Sequence, residues 1–244
     1  MGRPASRPQR SAGGGRRAAE DRSADRPADR LGGRRLYLCT ADRPDLGPFL
    51  AACIRGGVDI VQLRDKQLEA RPLLERAAVA LAVCREFDVP FILNDRPDLA
   101  LACGADGVHV GQDDAPPWLA RRVLGPELIV GRSTHASADL RAAAGEPVDY
   151  ISTGPVNPTP TKPGRPGTGL GYLVEAASVA AVPWFVTGGV TPGTIGPMVA
   201  AGASRFVVVR YLTEAADPEA NAAQLIQALD QALAANRQPR PPKP

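Results

Sequence analysis

The 244-residue chain is 44% apolar and 23% charged, ordinary values for a globular protein long enough to bury a full core. Its formal charge of +3 is unevenly distributed: residues 1–33 hold eight arginines against Glu20, Asp21, Asp25 and Asp29, the stretch from 235 onward adds Arg237, Arg240 and Lys243, and the part between is left at −4. That distribution excludes a uniformly basic nucleic-acid binder. The absence of any apolar run of about 18 residues excludes a membrane-spanning helix, and Cys39, Cys53, Cys84 and Cys103 lack the spacing of a metal site.

Residues 1–33, rich in Arg, Ala, Gly, Ser and Pro, are poor in large apolar side chains. They are expected to form a disordered basic arm, because little surface is available to offset the entropy of ordering. Interleaved acids and the lack of aromatic residues argue against a nucleic-acid or membrane role for the arm, so neither is an expected partner. No apolar segment follows the arginines, which argues against secretion. With cysteines scattered through apolar segments, reduced thiols and a cytoplasmic location are expected. The catalytic domain is expected over 34–234, with a disordered tail at 235–244.

From Arg34 a unit repeats: a short Val/Ile/Leu strand, a loop, and an Ala/Leu-rich helix. Strands are predicted at 35–39, 58–64, 91–94, 107–111, 128–133, 149–153, 184–188 and 205–209. Helices are predicted near 44–56, 68–88, 97–103, 116–124, 137–144, 169–180, 192–201 and 218–234. Eight alternations in about 200 residues give a (β/α)8 TIM barrel, with a doubly wound open sheet as the alternative. In either fold the functional site lies at the carboxyl ends of the strands.

Strand two ends in Gln62, Leu63, Arg64, Asp65 and Lys66. With a period of two, Gln62, Arg64 and Lys66 share one face, together with Val58 and Ile60 pointing into the barrel. Arg64 suits bidentate phosphate contact and Lys66 a point charge. Strand three ends in Asn94 and Asp95, and strand four is followed by Gln112, Asp113 and Asp114. Between them, Pro97 near a helix start and Gly104 past its end let the strands run parallel and deliver Asp95 and Asp114 to one sheet edge. Paired oxygen ligands beside phosphate-binding signals suggest Mg²⁺ holding a polyphosphate.

Strand five ends in Ser133, followed by Thr134 and His135. His135 is a candidate by position only, and His109, inside strand four, is expected to be a core or wall histidine. After strand six comes a long loop with five prolines, containing Thr159, Thr161 and Lys162. Such a loop suits an anion-binding lid. Strand seven ends in Gly188 and Gly189 before Thr191 and Pro192, and strand eight in Val209 and Arg210. Glycines ahead of a helix start, with a basic residue after the last strand, suit a phosphate site.

The ordered set QLRDK at 62, ND at 94, GQDD at 111, GRSTH at 131, TPTK at 159, TGGVTP at 187 and VVVR at 207 resembles the thiamine-phosphate synthase family over roughly 36–230. The resemblance implies a barrel enzyme joining a hydroxymethylpyrimidine diphosphate to a thiazole phosphate with release of diphosphate. Gln62, Leu63, Arg64, Asp65, Lys66, Asn94, Ser133 and Lys162 would hold the pyrimidine diphosphate, and Asp95 and Asp114 would ligate Mg²⁺. Thr159, Pro160, Thr161, Gly189, Val209 and Arg210 would bind the thiazole phosphate. Arg64, Lys66, Ser133 and Lys162 would carry the catalytic charge stabilisation.

Asp113 stands where the family often has Glu, and Arg210 where a small Ser is common. A related thiazole tautomerase shares GRSTH but needs no diphosphate site. A non-catalytic barrel that binds thiamine precursors is the reading from another class, against which the full metal and diphosphate set counts. The oligomeric state, with a homodimer as one option, and the carboxylation of the thiazole are left open.

Overall fold

The computed structural model describes residues 27, 29–159 and 166–237. Eight strands form a closed barrel: β1 Leu36–Thr40, β2 Ile60–Leu63, β3 Phe91–Asn94, β4 Gly107–Val110, β5 Ile129–Thr134, β6 Tyr150–Thr153, β7 Trp184–Val186 and β8 Phe206–Val208. All neighbours pair in parallel, and β8 closes on β1. The expected (β/α)8 barrel is the observed fold. Strands buried on both faces read as short continuous apolar runs, which is why they were visible in the sequence.

The surrounding helices are α1 Leu46–Arg55, α2 Ala70–Glu86, α3 Pro97–Cys103, α4 Pro117–Leu124, α5 Ser137–Ala143, α6 Gly169–Val179, α7 Pro192–Ala200, α8 Arg210–Thr213 and α9 Pro218–Arg237. Helix α3 begins with Pro97 and ends on Gly104 at φ 73°. Thr191 and Thr194 form a reciprocal capping box at the start of α7, satisfying two amides that would otherwise lack partners.

Side chains alternate between two cores. Leu36, Leu38, Val61, Leu63, Leu93, Val108, Val130 and Val186 face the helices, whereas Tyr37, Cys39, Ile60, Ile92, Ile129, Tyr150, Phe185 and Val207 fill the barrel. Val58 was expected inside with Ile60, but β2 starts only at Ile60 and Val58 packs in the outer core.

The folded unit also begins earlier than residue 34. Asp29–Leu31 form a 3₁₀ turn, and Leu31 is fully buried with the interior residues of the barrel. Arg30 donates to the Glu127 carbonyl and lies 3.7 Å from the Asp106 carboxylate. A single leucine here finds an open barrel end to fill, which composition averaged over the arm cannot reveal. Residues 1–26 and 28 of the expected arm, and 238–244 of the expected tail, lie outside the described residues.

At the same end of the barrel an acid precedes three even-numbered strands and ties down the strand before each. Asp59 accepts the N–H groups of Arg35 and Leu36 at 2.6 and 2.9 Å. Asp106 accepts Phe91 N–H at 2.9 Å, and Asp149 accepts Val130 N–H at 2.7 Å. Before β8 the corresponding residue is Arg205. Three quarters of the barrel thus share a carboxylate that satisfies amides at a strand start.

Candidate active site

At the carboxyl end of the barrel, residues of β1 to β6 and β8, with the loops that follow the strands, line a cavity of about 300 Å³. Its wall includes Gln62, Arg64, Lys66, Asn94, Asp95, Asp114 and Ser133. The strand alternation argued for Gln62, Arg64 and Lys66 therefore holds. Leu63 instead faces the outer core. The Asp65 carboxylate turns into the loops, accepting the N–H groups of Gln67, Leu68 and Asp42 at 2.8, 3.2 and 3.2 Å. Neither side chain is among the residues that line the cavity, in keeping with the period of two, which puts both on the other face.

Asp95 and Asp114 do meet. Asp95 stands at φ 62°, a left-handed conformation uncommon for a side-chain-bearing residue. Its N–H donates to the His109 carbonyl at 2.8 Å, and Lys66 Nζ lies 2.9 Å from its Oδ2. Asp114 folds back so that Oδ2 accepts the Gly111 N–H at 2.8 Å. A Cβ at Gly111 would lie 2.7 Å from that oxygen, so a larger residue there would push the carboxylate aside.

The two carboxyls line the same cavity and influence each other's ionisation. Burial, and then the neighbouring Asp114, pushes the Asp95 carboxyl above the usual range despite Lys66. Burial also opposes ionisation of Asp114, but the carboxyl of Asp95, the Gly111 amide and the charges of Lys66 and Arg64 prevail and hold it low. Two neighbouring carboxyls whose ionisation is opposed by burial and by each other are suited to a divalent cation, which would offset their combined charge. Among the described residues no cluster of three or more His, Cys, Asp or Glu could hold a metal. A cation here would have two protein carboxylates and would complete its shell with ligand or water oxygens, the usual habit of Mg²⁺.

Below these charges lies a polar layer that sequence reasoning largely missed. His109 bridges Tyr150 Oη and Ser133 Oγ, each at 2.9 Å, as the satisfied wall histidine expected of it. Tyr150 Oη is 2.8 Å from Tyr37 Oη, which accepts Gln62 Nε2–H at 2.6 Å. Tyr37, Cys39, Tyr150 and Ser152 were not singled out in the sequence. The available signal was their parity, because each sits on the inward face of β1 or β6. Glycine at 131 makes the room: a Cβ there would overlap the Tyr150 ring. His135 also lines the cavity, with Nδ1 against the Gly154 carbonyl.

A second cavity of about 240 Å³ opens beside the first, lined by Pro155, Thr159, Gly188, Gly189, Thr191, Arg210 and Glu214 among others. Thr187, Val207 and Val209 line both cavities. Gly188 and Gly189 have φ of 100° and 72°, and a Cβ at Gly188 would meet Pro155 at 2.6 Å. These glycines follow β7 rather than end it, since the strand stops at Val186. Arg210 likewise begins the short helix α8 rather than closing β8, and it is exposed. Pro160, Thr161 and Lys162 lie outside the described residues.

Residues 36–212 match the family model described as thiamine monophosphate synthase. A thiamine-phosphate synthase from Thermobifida fusca is 51% identical over 215 residues, covering 84% of this chain and 97% of the relative. One from Mycobacterium sp. strain KMS is 47% identical over 207 residues, covering 80% and 92%. Among solved structures, thiamine phosphate pyrophosphorylase from Pyrococcus furiosus superposes with a TM-score of 0.75 at 26% identity, covering 84% of this chain and 98% of the other.

Proposed function

The chain belongs to the thiamine monophosphate synthase family, and from that premise we propose that it condenses a 4-amino-2-methylpyrimidine bearing a diphosphooxymethyl group with a thiazole phosphate. The products are thiamine phosphate and diphosphate. The observation that carries this reading is the pairing of two cavities across a shared wall of Thr187, Val207 and Val209. One has cations and paired carboxylates for a diphosphate, and the other has glycine amides near a helix start for a single phosphate. The acid pair also separates this reading from an isomerase acting on a thiazole alone, which needs no diphosphate site.

The C–O bond between the pyrimidine methylene and the diphosphate breaks, the leaving group takes the electron pair, and the amino-substituted ring delocalises the cation. The thiazole nitrogen then donates its pair to the methylene carbon. No general base is required, so the protein's main task is to stabilise developing negative charge. Arg64 and Lys66 supply cations from the loop after β2, and Lys162 is proposed to add a third. Gln62, Asn94 and Ser133 orient the pyrimidine half, and Thr159 to Thr161, Gly189, Val209 and Arg210 the thiazole phosphate. Asp95 and Asp114 would hold Mg²⁺, which when bound neutralises diphosphate charge.

Four free thiols accord with a reducing compartment such as the cytoplasm. Incubating the protein with both precursors and Mg²⁺, and separating the products by chromatography, tests the proposal. Thiamine phosphate is the expected product, and its absence would refute the reading.

A further inference from the structure

Five side chains on the inner faces of β1, β2, β4 and β5, together with the first residue of β6, form one unbroken hydrogen-bonded chain of six: Cys39, Gln62, Tyr37, Tyr150, His109 and Ser133. A hydrogen-bonded chain of this kind has two opposite proton orders, and they present different faces of Ser133 to the cavity. One offers a donor and the other an acceptor. From the chemistry at its far end we infer that the chain is ordered in the direction that leaves Ser133 a donor, with Tyr37 and Tyr150 as positioning residues that fix His109 as its Nε2–H tautomer. The inference deepens the proposed synthase reading and rests on it only for the identity of the ligand.

The order starts at Cys39. Its thiol donates to Gln62 Oε1 at 3.3 Å, and because thiol sulfur is a weak acceptor, the amide turns its oxygen to the thiol and its NH₂ to Tyr37. Tyr37 Oη accepts that N–H at 2.6 Å, so its own hydrogen goes to Tyr150 Oη at 2.8 Å. Burial raises both phenols far above their ordinary range, with Tyr37 further influenced by Tyr150 and Gln62, so each keeps its hydrogen. Tyr150 then donates to His109 Nδ1 at 2.9 Å. A neutral imidazole that accepts at Nδ1 carries its proton on Nε2, and that N–H donates to Ser133 Oγ at 2.9 Å.

Ser152 Oγ approaches Ser133 Oγ as a second donor at 3.4 Å. With its lone pairs engaged from the wall, Ser133 directs its hydroxyl hydrogen into the cavity it shares with Arg64 and Lys66. The partner it fits is an acceptor atom of the ligand, a diphosphate oxygen or a ring nitrogen. The reverse order would aim oxygen lone pairs at that acceptor.

Nitrogen-15 NMR of histidine-labelled protein at alkaline pH, where imidazoles are neutral, reads the tautomer directly. The signal of His109 is identified by its loss in His109→Gln. The expected result is a protonated Nε2 and a bare, hydrogen-bonded Nδ1, and an Nδ1–H tautomer would overturn the inference. In Tyr150→Phe, which removes the donor at Nδ1, the preference should relax to a mixture of tautomers. The KM for the pyrimidine diphosphate should rise about tenfold, with that for the thiazole phosphate unchanged. Retention of the pure Nε2–H form with both KM values unaltered in that variant would also overturn it. The NMR measurement requires no turnover, so an Nε2–H imidazole in a protein that makes no thiamine phosphate would uphold the proton order while refuting the synthase reading.

Discussion

Asp95 combines a left-handed backbone, a salt bridge to Lys66 and the neighbouring carboxyl of Asp114 in one residue. Strain and like-charge crowding together lower stability, so the arrangement needs a compensating function, which a bound cation would supply. Asp114→Asn should retain the fold, judged by an unchanged circular dichroism spectrum, and lose ~10²- to 10³-fold in kcat. Excess Mg²⁺ should restore part of it. Turnover equal to that of the unmodified protein would show that the pair does not serve the reaction.

Arg210 tests the neighbouring cavity. It is exposed at the first residue of α8, beside the glycines after β7, free to fold its guanidinium over a phosphate. Arg210→Ser should raise the KM for the thiazole phosphate by about tenfold or more and leave that for the pyrimidine diphosphate unchanged. Equal thiazole-phosphate KM values in the two proteins would mean that backbone groups alone bind the phosphate.

At the scale of elements, the amino end of the barrel governs stability as the carboxyl end governs chemistry. Leu31 fills that end from a turn before β1, and Leu31→Ala should cost about 2–5 kcal/mol. Calorimetry should register the loss as a melting temperature lower by roughly 4–20 °C, and a chain starting at Arg34 should fall at least as far. An unchanged melting temperature would mean that the turn does not hold the barrel closed. The acids before β2 and β6 make a related prediction. Asp149→Ala leaves the Val130 N–H and the Arg121 guanidinium without their carboxylate and should cost about 1–3 kcal/mol in chemical denaturation.

Asp59 adds a pH dependence. Burial raises its folded pKa despite the amides of Arg35 and Leu36. Between the ordinary unfolded value and that raised value, the folded state keeps a proton that the unfolded state has released. Its contribution to stability is therefore fully present below the unfolded pKa and is lost as pH rises through the folded one. The melting temperature of Asp59→Asn relative to the unmodified protein should climb across that window, and a flat difference would contradict the burial argument.

Across the whole molecule, the barrel was legible because most strands are short apolar runs buried on both faces and several helices have a boundary signal, such as Pro97 and Gly104 around α3. The acid pair was legible because it follows adjacent parallel strands. Strand limits were harder: extending β2 back to Val58 put that residue on the wrong face, and extending β7 through Gly188 and Gly189 missed the loop they form. The polar floor was harder still. Tyr37 and Tyr150 lie 113 residues apart and meet only through barrel closure, so parity can place each on an inward face but nothing local shows that they touch. Arg210 shows the converse, since the sequence puts it at the end of strand eight but the fold has it open the helix that follows.

The central claim is that one barrel mouth holds two adjacent anion sites and joins their ligands. It is tested most directly by measuring diphosphate and thiamine phosphate together, with both precursors present, in Mg²⁺ and in excess EDTA. Equal amounts of the two products in Mg²⁺, with little of either in EDTA, are expected. Diphosphate release without thiamine phosphate, or undiminished synthesis in EDTA, would contradict the account.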